Sequence, residues 1–162
     1  MGYGTGLNAL LTALYATEFK VKIDYICLEA FPLEKKEWTA LNYGQLLHCP
    51  SLFHSLHELS WEKQQQVTDY FSLLKKEQYF EQYEPKENVD LVYFDAFGAR
   101  VQPELWTESI FEKLYKGLNE KGVLVTYSAK GSVRRLLQQL GFTVERLPGP
   151  PGKREMLRGL KP

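Results

Sequence analysis

Three glycines, two carboxylates and a group of cations carry most of the chemical potential of this 162-residue chain. Gly2, Gly4 and Gly6 lie in Gly2-Tyr3-Gly4-Thr5-Gly6, which runs straight into an apolar helical pattern. Glycines there tolerate positive φ and let a ligand approach the main chain. Dinucleotide enzymes use G-x-G-x-x-G, whose last glycine permits close helix packing while the helix N-terminus faces pyrophosphate. Position 7 is Leu, so that fingerprint fails. A G-x-G-x-G turn suits a nucleoside ligand without phosphate, such as S-adenosylmethionine. Glu29 follows Gly6 by 23 residues at the end of a strand pattern, where dinucleotide folds place the acid that binds ribose hydroxyls. A structural turn and a surface Glu would account for either feature alone; the two at this spacing point to nucleoside binding.

The second carboxylate, Asp95, follows the apolar run Val89–Phe94 and precedes Ala96-Phe97. Ligands of open α/β sheets sit beyond the carboxyl ends of strands, so a carboxylate there is placed to meet a substrate. Its alternative role is to cap a following turn. Arg134, Arg135, Lys153 and Arg154 belong to a basic stretch: residues 121–162 hold nine Lys/Arg against two Asp/Glu, whereas 1–120 hold 11 against 18. Such polarity fits either a face for a phosphate backbone or a solvated surface with no partner. His48, Cys49, His54 and His57 are metal-ligand types, but their spacing matches no standard finger and no metal site is assigned. The abundant aromatics read as packing rather than as a base-stacking platform.

The elements that position these residues alternate between strand and helix patterns, which predicts an α/β domain around a mostly parallel sheet. Residues 7–16 read as a helix with Leu7, Leu10, Leu11 and Leu14 inward. Residues 23–28 form a strand pattern, and Pro32 opens a helix to about Asn42. Residues 60–67 are compatible with a short capped helix and 70–74 with a strand. After the strand at 89–94, residues 103–118 read as one amphipathic helix facing inward with Leu105, Ile110, Phe111, Leu114 and Leu118. A turn leads into a strand at 123–127, and a helix at 132–140 closes at Gly141. Residues 142–147 and 155–160 flank a Pro/Gly loop and predict an antiparallel edge pair. A single domain is expected. No apolar run approaches the ~18 residues of a membrane span, no secretory pattern is read, and two unpaired cysteines suit a reducing cytoplasm.

These pieces together resemble the tRNA 5-methylaminomethyl-2-thiouridine methyltransferases, the MnmD proteins and the methyltransferase half of MnmC. The resemblance covers nearly the whole chain. It rests on Gly2-Tyr3-Gly4-Thr5-Gly6-Leu7-Asn8, Glu29-Ala30-Phe31-Pro32-Leu33, Phe94-Asp95-Ala96-Phe97, Pro103-Glu104-Leu105-Trp106-Thr107, Val133-Arg134-Arg135 and Gly152-Lys153-Arg154-Glu155-Met156. It implies a Rossmann-like class I methyltransferase that binds S-adenosyl-L-methionine and methylates the aminomethyl group of a wobble uridine in tRNA. It further implies that Asp95 and Phe97 stand near the reacting amine and that the four cations hold phosphates near the anticodon. An oxidoreductase acting on the same uridine is an expected partner. Ala96 departs from the Gly frequent in the family. The family's central strand ahead of the glycine loop has no counterpart here, because Met1 directly precedes Gly2; a misassigned start or a genuine fragment would each explain it, and two exposed strand edges are expected. The rival readings are an NAD-dependent oxidoreductase and an inactive, truncated RNA-binding fragment.

Overall fold

The computed structural model describes residues 2–85, 88–149 and 151–162. Met1, which precedes the glycine turn, and Pro150 of the Pro/Gly loop lie outside them. The chain divides into two compact units, Gly2–Phe80 and Glu81–Pro162.

In the unit Gly2–Phe80, helix α1 (Leu7–Phe19) is followed by strand β1 (Ile23–Glu29), short helices α2 (Lys35–Trp38) and α3 (Tyr43–Leu46), helix α4 (Pro50–Glu58), and strands β2 (Gln64–Thr68) and β3 (Phe71–Glu77). The sheet order is β1-β3-β2, with β1 parallel and β2 antiparallel to β3. Helices α1 and α4 pack with this sheet. Their core includes Leu10, Ala13, Phe53, Leu56, Phe71 and Leu73.

Here the sequence expectations need three corrections. In α1 the buried face is Ala9, Leu10, Ala13 and Ala16, while Leu11 is 45% exposed. Small alanines let the helix approach the sheet closely, so a leucine count misassigns its inner face. The helix expected from Pro32 to Asn42 is a single turn starting at Lys35. Glu34 caps it, exchanging hydrogen bonds with Glu37 in a capping box. Residues 64–68 form a strand and not a helix; β2 pairs with β3 across the tight connection at Asp69 and Tyr70. The helix of this region lies upstream, opened by Pro50 at its first position, which supplies a suitable φ and lacks an N–H that would go unsatisfied.

In the unit Glu81–Pro162, strand β4 (Val89–Phe94) is followed by helix α5 (Glu108–Gly117), strand β5 (Leu118–Thr126), helix α6 (Gly131–Gln139) and strands β6 (Thr143–Pro148) and β7 (Glu155–Leu160). The order is β4-β5-β7-β6, with β4 and β5 parallel and the other neighbours antiparallel. The expected C-terminal antiparallel pair is present, with β6 at the edge and β7 inside the sheet. The expected helix over 103–118 is instead a 3₁₀ turn at Pro103–Trp106 and then α5, separated by Thr107 in an extended conformation. Ile110, Phe111 and Leu114 are buried as expected, Leu105 is half-buried, and Leu118 already belongs to β5. Between Val89, opposite Leu118, and Leu91, opposite Val123, the register jumps, and the expected turn at 119–122 sits in that jump. Gly141 closes α6 at φ +104, in space that a Cβ would share with the Tyr115 hydroxyl at 2.9 Å.

Candidate active site

The glycine turn precedes α1, and Gly2, Gly4 and Gly6 all have positive φ, at 74°, 51° and 77°. The Tyr3 N–H donates to the Leu28 carbonyl at 3.1 Å, so the turn continues hydrogen bonding along the end of β1. Gly6 N–H donates to the Tyr3 carbonyl at 2.9 Å and closes the turn. Glu29, at the carboxyl end of β1, accepts from the Gly4 N–H through Oε2 at 2.8 Å and from the Phe31 N–H through Oε1 at 3.1 Å. The carboxylate thus joins the turn to the strand end, and its remaining lone pairs can accept from ribose hydroxyls. A Cβ on Gly4 would meet nothing within 4 Å, so this side of the turn is open to a ligand. Backbone conformation, open approach and carboxylate together fit the nucleoside half of S-adenosylmethionine.

Behind the turn lies a cluster that the sequence reading missed. Lys75, in the middle of β3, is 1% exposed. Its Nζ donates to the carbonyls of Leu56 at 3.1 Å and His57 at 2.9 Å, in the last turn of α4. It also lies over the rings of Trp61 at 4.9 Å and Tyr3 at 5.4 Å. His57 stacks on Trp38, 4.8 Å between centroids, and its Nε2 is 3.3 Å from the Thr5 carbonyl. A carbonyl only accepts, so Nε2 carries the proton of that bond. The Tyr3 hydroxyl is buried without a hydrogen-bond partner among the described residues, and burial raises its pKa. The available signal was the period-two run Phe71, Leu73, Lys75, which puts the lysine on an inward register. Nothing in the sequence names its partners.

In the other unit Asp95 directly follows β4 and is exposed. The backbone beyond it is held twice: the Tyr127 hydroxyl donates to the Ala96 carbonyl and the Trp106 Nε1–H to the Phe97 carbonyl, each at 2.8 Å. Phe97 itself is 70% exposed. Burial raises the Tyr127 pKa, and the Asp95 charge pushes it the same way. Lys153 lies over the Tyr127 ring, Nζ 3.6 Å from the centroid, so one of the four predicted cations stands beside the acidic loop. Arg134 and Arg135 project from α6, and Arg154 is exposed just before β7. Among the described residues, none of these four cations is ion-paired. No group of three potential metal ligands occurs among the described residues; His57, of the tempting histidine-cysteine segment, is engaged in ring packing instead.

A glycine turn opening a helix, a carboxylate ending a parallel strand, and a second acid ending another are features of a Rossmann-like, nucleoside-binding α/β fold. Residues 47–162 match the family described as S-adenosyl-L-methionine-dependent methyltransferase, and the chain belongs to that family. Its cofactor is therefore S-adenosyl-L-methionine, which sets aside the nicotinamide reading. Relatives include the tRNA 5-methylaminomethyl-2-thiouridine biosynthesis bifunctional protein MnmC of Leptospira interrogans, 32% identical over 98% of this chain and 26% of the relative. The protein of the same name from Nitrosospira multiformis is 29% identical over 98% of this chain and 27% of its own length. The chain thus spans about a quarter of the length of these curated relatives. Among solved structures, MNMC2 from Aquifex aeolicus matches with a TM-score of 0.71 at 24% identity, covering 98% of this chain and 50% of that one. Precorrin-6y C5,15-methyltransferase from Geobacter metallireducens matches at 0.53 and 13% identity, over 99% of this chain and 77% of that one. Both likenesses concern the fold. Among the described residues no helix is long and apolar enough to cross a membrane.

The cluster behind the turn predicts a pH dependence of stability. Burial lowers the His57 pKa to about 4; the Thr5 hydrogen bond opposes this, and Lys75 and His54 add to it. The folded value lies below the unfolded one of ~6.5, so the unfolded state takes up a proton first as pH falls. The contribution is present above pH ~6.5 and lost as pH falls through about 4, roughly 1–3 kcal/mol in all. Urea unfolding between pH 7 and pH 4 should show this loss in the wild type and a flatter profile in His57→Gln. Equal slopes would remove His57 from the acid sensitivity.

Proposed function

We propose that this chain methylates the exocyclic aminomethyl group of a modified wobble uridine in tRNA, as one methyltransferase domain over residues 1–162. The observation that carries the substrate assignment is the similarity, over 98% of the chain, to relatives named for tRNA 5-methylaminomethyl-2-thiouridine biosynthesis. Those relatives are named bifunctional and are about four times as long, which supports a second activity in the same biosynthesis as a partner; in this proposal that partner is an oxidoreductase acting on the same uridine. A tRNA substrate supports a cytoplasmic location.

In this reading Gly2, Gly4 and Gly6 seat the cofactor and Glu29 accepts from its ribose. When bound, S-adenosylmethionine supplies a methyl group already activated on a sulfonium, so positioning supplies much of the rate. The substrate ammonium has no lone pair, and a proton must leave it before attack. Asp95 orients the amine and accepts that proton, directly or through water. Phe97 presents an exposed ring beside it, suited to hold the base. Arg134, Arg135, Lys153 and Arg154 take phosphates of the anticodon region, supported by their freedom from ion pairs among the described residues.

Three measurements test these assignments. Glu29→Ala should weaken S-adenosylmethionine binding by roughly 1–3 kcal/mol in calorimetry, because the variant loses a ribose acceptor and the tie to Gly4; undiminished affinity would remove Glu29 from the cofactor site. Asp95→Asn should slow single-turnover methylation of tRNA bearing an aminomethyl uridine by about 10²-fold or more. That rate should partly recover at higher pH, where more amine is unprotonated, with cofactor affinity kept. Wild-type rates would leave Asp95 a turn cap. Removing all four cations should weaken tRNA binding and flatten its salt dependence, since each lost phosphate contact releases fewer counterions. An unchanged salt slope would make the basic stretch a solvated surface.

A further inference from the structure

We propose that Lys75 and His57 are positioning residues for the glycine turn, holding it in its ligand-ready shape from behind without touching the ligand. The proposal rests on the reading of that turn as the cofactor seat. The turn is tied on one side to β1, through Leu28 and Glu29. On the other side the tie comes from α4, through the His57 Nε2–H and the Thr5 carbonyl. A Cβ at Gly6 would lie 2.9 Å from His57 Nε2 and 3.1 Å from the Tyr3 hydroxyl. The imidazole therefore occupies the space beneath the turn as well as bonding to it. Its own place is fixed by Trp38 and Phe53, at 4.8 and 4.7 Å between centroids, and by the hold of Lys75 on the His57 and Leu56 carbonyls. Lys75 is in turn set by its register in β3, opposite Cys27 of β1. The sheet thus fixes Lys75, Lys75 fixes the end of α4, and α4 fixes the turn.

Two replacements separate the hydrogen bond from the packing. His57→Phe keeps a ring against Trp38 and removes the donor; His57→Gln restores a donor at similar reach. In the whole chain, without cofactor, amide exchange at Gly4 and Gly6 should quicken about tenfold in His57→Phe while the interior of α1 keeps its protection. S-adenosylmethionine affinity should fall by about the same factor, and His57→Gln should recover most of both. Unchanged exchange in the turn would overturn the proposal, as would faster exchange that His57→Gln fails to reverse. Faster, reversible exchange with unaltered S-adenosylmethionine affinity would uphold the clamp and instead sink the assignment of the turn to the cofactor. If His57→Phe does not fold, Lys75→Met tests the same chain of contacts. Exchange quickened at the turn and the last turn of α4 supports it, and exchange unchanged at both overturns it.

Discussion

A single ammonium group, that of Lys75, organises the unit that carries the glycine turn. An unpaired charge in an apolar interior costs many kcal/mol, so the surroundings of Lys75 have to replace water. They do so without a carboxylate among the bonds observed. Two carbonyls at the C-terminal end of α4 accept from Nζ, where unsatisfied carbonyls and the negative end of the helix dipole favour a cation. The faces of Trp61 and Tyr3 add quadrupole attraction. Burial still lowers the pKa below the ordinary lysine value. The arrangement makes helix end and lysine mutually dependent: the carbonyls need a donor, and the charge needs acceptors. Because β3 is parallel to β1, the same strand pair that anchors Lys75 also ends in Glu29, which holds the turn from the opposite side.

The turn is consequently over-determined. Positive φ at Gly2, Gly4 and Gly6 leaves little intrinsic preference for one shape. The restraint comes from outside the turn, through Leu28, Glu29 and His57. A ligand that meets such a prearranged backbone loses less conformational freedom on binding than one that must order it. Glycine at position 6 is thus required twice: for its left-handed conformation and for the room His57 takes.

How much of this was legible in the sequence follows from how local each signal is. β1, β4 and α6 with Gly141 were readable because apolar period and terminator lie within one short window. Glu29 and Asp95 were readable because a carboxylate closing an apolar strand stands out. Residues 34–68 were not: α2 and α3 have four residues each, too few for a helical period to emerge, and β2 is Gln64-Gln65-Gln66-Val67-Thr68, polar enough to hide a strand whose stability comes from pairing with β3. The Lys75–His57 connection spans 18 residues and passes through backbone carbonyls, which every residue type supplies equally. No pattern of side chains could have announced it.

The acidic loop of the other unit solves a similar problem by different means. Asp95 and Phe97 both stand in solvent, and exposed side chains on an unrestrained loop would sample many orientations. Here the restraint is applied to the main chain between and beyond them. Tyr127, just after β5, holds the Ala96 carbonyl, and Trp106, in the 3₁₀ turn before α5, holds that of Phe97. Trp106 is itself packed edge-on against Phe94 at 5.0 Å, and Phe94 against Phe111 at 4.7 Å. The position of the loop is therefore inherited from the core through two aromatic side chains that combine an apolar body with a hydrogen-bond donor. Anchoring the loop through its main-chain carbonyls leaves the Phe97 ring exposed to solvent. Ala96 suits such a scheme, since the segment is held through its carbonyls and needs no glycine's backbone freedom there.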